Sequence, residues 1–162
     1  MSEIDYVVPD LTIKKETTLD FYELYKFIRD WFERNNYDFL EKEFISNEEL
    51  KGTSISIRWK PDKKLDDYCK AFIEIKIKVN DMVSVIKDKK KLNKGIFTIK
   101  FESYLEKDYE EKWEDKPFYK FIRTFYDKLV IGDKFNKYSK HLKDETYDIF
   151  NETKSFLDLQ KF

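Results

Sequence analysis

One cysteine, one histidine, one alanine, three glycines and three prolines are all that 162 residues contain of these types. Each scarcity removes a class of chemistry. Cys69 has no partner in the chain, so no intramolecular disulfide forms, and the cysteine count gives no sign of secretion. With only Cys69 and His141 as nitrogen and sulfur ligands, a structural zinc site lacks donors, and a catalytic triad would have to be built around one histidine. His141 falls beside the apolar Leu142 and reads as a partly exposed helix residue. Cys69, at the start of a strand, reads as a small apolar filler. Gly52, Gly95 and Gly132 stand far apart, so neither a P-loop nor a dinucleotide fingerprint can be written. No serine sits in a nucleophile elbow.

Long apolar runs are also missing. No window approaches the ~18 residues of a membrane span, and Met1 to Asp10 lacks the basic start and apolar core of a signal peptide. The expectation is a soluble, cytoplasmic protein. Net charge is only −1, and the absence of a basic excess argues against sequence-blind nucleic-acid binding.

What is present is charge of both signs (40%) and aromatic side chains (18%). Phe and Tyr therefore supply much of the core. The abundance of Lys, Ile, Phe, Tyr and Asp, with little Ala, Gly, Pro or Arg, is the bias of A+T-rich coding sequence. It raises lysine and aromatic counts without any functional cause. A chain of this length buries roughly 70% of its unfolded surface and needs no metal or disulfide for stability. No repeat, linker or composition break divides it, so residues 1–162 read as a single domain.

Tyr6 to Ile13 alternates loosely and suits a first or edge strand, since Pro9 cannot occupy a central one. Thr17, Thr18 and Asp20 are N-cap candidates for a helix whose apolar stripe is Phe21, Leu24, Tyr25, Ile28, Trp31 and Phe32, ending at Asn35-Asn36. Tyr37 to Ser46 reads as a strand and Asn47 to Thr53 as a connection. Ile55, Ile57 and Trp59 alternate up to Pro61, and Asp62 to Asp67 reads as a charged loop. Ala71, Ile73, Ile75, Ile77 and Val79 form the strictest alternation, with Phe72, Glu74, Lys76 and Lys78 on a face expected to meet solvent. Asn80-Asp81 suggests a turn before a short strand, Met82 to Ile86. Lys87 to Gly95 reads as a lysine-rich hairpin tip, and Ile96 to Tyr104 as another strand. Pro117 then starts a helix with the stripe Phe118, Phe121, Ile122, Phe125, Leu129 and Val130, capped by Gly132. A last helix spans Tyr138 to Leu159, with Leu142, Ile149, Phe150, Phe156 and Leu157 inward.

These elements predict an α+β fold: a curved antiparallel sheet of about five or six strands, packed against an N-terminal helix and two C-terminal helices. Their order resembles that of the helix-grip fold of the START and Bet v 1-like group. That likeness implies an aromatic-lined apolar pocket between the sheet and the C-terminal helices.

Three local patterns carry functional expectations. Pro61-Asp62 followed by Glu74-Ile75-Lys76 resembles the core of the PD-(D/E)xK nucleases. The resemblance implies Asp62 and Glu74 as ligands of a divalent metal and Lys76 as the residue that activates water. The same spacing also arises from any amphipathic strand with alternating charges. Lys87, Lys89, Lys90, Lys91 and Lys94 could touch phosphates or simply solvate a turn and guard an edge. Glu102 to Asp115 interleaves acidic residues with Tyr104, Tyr109 and Trp113, candidate anchors for a partner protein. Basic tip and acidic segment flank one strand, which would permit head-to-tail self-association. The preferred expectation is a non-catalytic binding or interaction module for a protein or an apolar small molecule, with no cofactor and no metal. The alternative is the metal-dependent nuclease.

Overall fold

The computed structural model describes residues 2–107 and 132–159. Among these residues six strands form one antiparallel sheet: β1 (Glu3–Leu19), β2 (Glu41–Glu49), β3 (Gly52–Trp59), β4 (Asp62–Lys64), β5 (Cys69–Lys87) and β6 (Lys90–Lys107). Helix α1 (Phe21–Arg34) follows β1, and α2 (Gly132–Leu159) closes the described chain. The sheet order is β1-β6-β5-β3-β2, and β4 pairs with β5 beyond the end of β3. An α+β class with an antiparallel sheet is what the alternating segments predict. Of the two C-terminal helices expected, the one on residues 117–131 lies outside the described residues.

The register explains the core. Leu11, Phe101, Ile75 and Trp59 form one cross-strand row on the inner face; Ile13, Ile99, Ile77 and Ile57 form the next. Every second residue of a strand points the same way, so the isoleucines of β5 are delivered together to the helices. Leu24, Ile28, Trp31 and Phe32 of α1 are buried against this face, as are Leu142, Ile149 and Leu157 of α2. The Phe101 ring meets Phe150 of α2 edge-on at 5.9 Å, and the indole of Trp31 donates to Asp148 at 2.9 Å, tying the two helices together.

Helix α1 begins where its cap permits. Asp20 Oδ1 accepts from the backbone N–H of Tyr22 at 3.0 Å and of Glu23 at 3.4 Å. Asn36 ends the helix with φ +65°, a conformation asparagine tolerates better than most residues. Replacing Asp20 with alanine strands these two donors and lowers stability by about 1 kcal/mol, read as a shift in the urea midpoint.

Several boundaries differ from expectation, for identifiable reasons. Strand β1 continues past Ile13 to Leu19, and β2 starts at Glu41 instead of Tyr37 and runs to Glu49. All of β2 is exposed, so nothing selects an apolar/polar alternation there. The connection after it shrinks to Leu50-Lys51, with Gly52 at φ +144° packed so closely on β5 that a Cβ would lie 2.7 Å from the Met82 carbonyl oxygen. Asp62 is on a strand, not in a loop. Asn80-Asp81 is not a turn. The chain passes straight through with a register shift against β6 and Asp81 at φ +54°, a bulge that uses the same residue types a turn would. The hairpin tip is only Asp88-Lys89, both at positive φ as the twist of flanking strands favours, and Lys90 to Gly95 belong to β6. Gly132 lies in α2 with helical geometry and not in the left-handed conformation expected of a cap.

Candidate functional site

An open cleft of about 640 Å³ lies where the sheet extends past the start of α1. Its walls come from α1 (Phe21, Tyr22, Tyr25) and from Phe44 of β2, Ile55 of β3 and Met82 of β5. The aromatic wall is held rigidly. Phe21 stacks on Phe97 at 6.2 Å, Tyr25 meets Trp59 edge-on at 5.1 Å, and the Phe21 N–H donates to Asn93 Oδ1 at 3.3 Å. The acidic groups at the rim serve the scaffold: Asp20 caps α1, and Glu41 accepts from the Trp59 indole at 3.3 Å. Lys91 adds a cation to the rim. Such a site offers apolar contact beneath a rim of one cation and two carboxylates, without a paired nucleophile and base. A smaller cleft of about 460 Å³ between the helices is lined by Phe27, Phe156 and Leu159, with Arg34 and Glu152 at its edge.

A second concentration of polar chemistry surrounds Glu145 of α2. Its buried carboxylate accepts from the Tyr37 hydroxyl, from Lys63 Nζ at 2.7 Å and from His141 Nε2 at 2.6 Å, one helical turn away. Lys63 Nζ also lies 4.5 Å from the centre of the Tyr37 ring. Burial, and then the Glu145 charge, push the Tyr37 pKa well above the usual phenol range, so its proton stays in place as the donor. The cluster joins α2 to β4 and to the segment after α1. His141 itself remains 67% exposed. Sequence reading found none of the Tyr37, Lys63 and Glu145 set.

Asp62 and Glu74 do lie on one face of the sheet. Asp62 is the register partner of Phe72, and Glu74 is two residues along the same strand. Glu74, expected to meet solvent, is only 8% exposed. Its carboxylate takes the Arg58 guanidinium at 2.7 Å, with Lys76 at 3.9 Å, while Asp62 pairs with Lys70 at 3.1 Å. Each carboxylate is thus engaged by its own cation. Among the described residues, no group of three or more His, Cys, Asp or Glu is placed to hold a metal ion.

Of the expected partner anchors, Tyr104 is only 4% exposed, with its ring between those of Tyr6 and Phe72 at 5.5 and 5.0 Å. Burial, reinforced by Glu74, raises its pKa above the normal phenol range. Tyr109 and Trp113 lie outside the described residues. The Cys69 thiol is fully buried, and burial pushes its pKa up to about 12, so it stays protonated and unreactive. No helix among the described residues is long and apolar enough to cross a membrane. In comparisons with known proteins, no family model matches the chain and no curated protein matches it.

Proposed function

We propose that the chain is a non-catalytic binding module that takes an apolar small molecule into the cleft at the start of α1. The observation that carries this reading is the convergence of Phe21, Tyr25, Phe44, Ile55 and Met82 on one open space of ligand size, with their backbones fixed by helix and sheet. The apolar wall is what selects the ligand, and the rim, with Asp20 and Glu41 beside Lys91, adds charge of both signs.

Anilinonaphthalene sulfonate, an apolar dye whose fluorescence reports its environment, serves as the probe. Its fluorescence rises saturably, at one molecule per chain, in the folded protein. Met82→Glu, which places a charge in the cleft wall, weakens binding by about tenfold, the equivalent of losing one buried apolar contact. Phe156→Glu, in the cleft between the helices, leaves it unchanged. Absent saturation, or equal loss in both variants, removes the reading.

The second reading, metal-dependent phosphodiester cleavage, is favoured by one observation: Asp62 and Glu74 share a face with Lys76 near Glu74. It ranks below the first because both carboxylates are ion-paired. Manganese-dependent cleavage of DNA or RNA, lost in Glu74→Gln, would reverse that order.

A further inference from the structure

The two edges of the sheet are not alike. Strand β1 carries Pro9 and register shifts between Tyr6 and Leu11, and Lys15 reaches Asp158 of α2 at 2.6 Å. These features spoil an edge as a template for another strand. Strand β2 has no proline. It has one irregularity, between Glu41 and Glu43, and from Glu43 to Glu49 its register with β3 is unbroken. Among the described residues sheet order ends at β2, and all nine of its residues are exposed. At its middle Phe44 and Ile45, pointing to opposite faces, are 56% and 44% exposed.

We propose that β2 is a docking edge for an extended basic peptide segment of a partner protein, which adds a strand to the sheet. Charge selects this occupant. Glu41 and Glu43 stand at one end of β2, Glu48 and Glu49 at the other, and Lys42 is its one cation. A second copy pairing β2 with β2 would bring these acidic ends together, whereas a strand with basic ends and an apolar middle meets opposite charge at both. Backbone hydrogen bonds then supply affinity, and contacts with Phe44 and Ile45 supply selectivity. The edge shares Glu41 and Phe44 with the cleft, whereas Glu43 and Glu48 lie outside it, so substitutions at those two residues test the edge apart from the small-molecule site.

The test is fluorescence anisotropy with a short fluorescein-labelled peptide carrying lysines at both ends and valine and threonine between. Saturable binding is expected, weakened roughly tenfold by Glu43→Lys with Glu48→Lys, a change of the size that interface charge reversal produces. A peptide of the same charge with proline at its centre binds at least as weakly as the wild-type peptide does to that variant. No binding overturns the proposal. Equal binding of the proline peptide overturns it too, because the attraction is then charge alone. So does light scattering that shows wild-type dimers dispersed by the same two substitutions, which would assign the edge to a second copy.

Discussion

Glu145→Ala lowers the unfolding free energy by about 3 kcal/mol. The carboxylate holds three donors, so its removal leaves the Lys63 ammonium and the Tyr37 hydroxyl without their acceptor. Breaking a buried pair from one side costs more than the pair contributes, because the remaining charge has no solvent to replace its partner. Lys63 is 16% exposed and also donates to the Asn35 carbonyl at 3.3 Å, which keeps the loss at the lower end of the usual range. Urea denaturation reads the effect. Combining Glu145→Leu with Lys63→Met recovers more than half of it, since both charges leave the interior together. His141→Ala costs less than about 1 kcal/mol, as solvent screens an exposed pair. A loss equal to that of Glu145→Ala would show that the exposed histidine, and not Lys63 and Tyr37, is the essential donor.

Phe101→Ala costs about 4 kcal/mol through lost burial and the cavity left behind. Phe101 is fully buried, flanked in its row by Leu11 and Ile75 and touched from above by Phe150. Three elements close around it, so the site has little freedom to collapse. The corresponding fall in melting temperature is about 10 °C for a chain of this size. Ile86→Ala, near the β5–β6 turn where the side chain is largely exposed, changes stability by less than about 0.5 kcal/mol. Calorimetry on the two variants separates a packing effect from a general sensitivity of the sheet.

These contrasts mark how much the sequence could tell. Helix α1 and the inner rows of β3, β5 and β6 were legible because one face of each is buried, and burial imposes period 3.6 or period two on the side chains. Strand β2 was legible only in part. Solvent on both faces imposes no period, and the adjacent Phe44 and Ile45 were the sole hint of an exposed apolar surface. Asn80-Asp81 misled because bulges and turns draw on the same residues. The Glu145 cluster was invisible for a different reason: Tyr37 and Lys63 lie 108 and 82 positions away, and no spacing rule links a helix to partners at that separation. The expected pocket lay between the sheet and the C-terminal helices, whereas this cleft lies at α1; Phe21, Tyr25 and Ile55 of its wall belong to predicted apolar faces, and Phe44 and Met82 join them only through the register of β2 and β5.

The pairing of β1 with β6 has a consequence for how the chain acquires its shape. Glu3 finds its match at Lys107, the last residue of β6 and remote from it in sequence. During synthesis the opening strand therefore emerges long before its complement exists, and the entropy of closing so long a loop must be met before that pairing yields any return. The hairpin of β5 and β6, joined by a two-residue turn, can form first and offer a ready margin. The residues of β1 are thus among the last to settle, and refolding belongs in the slow range set by non-local contacts.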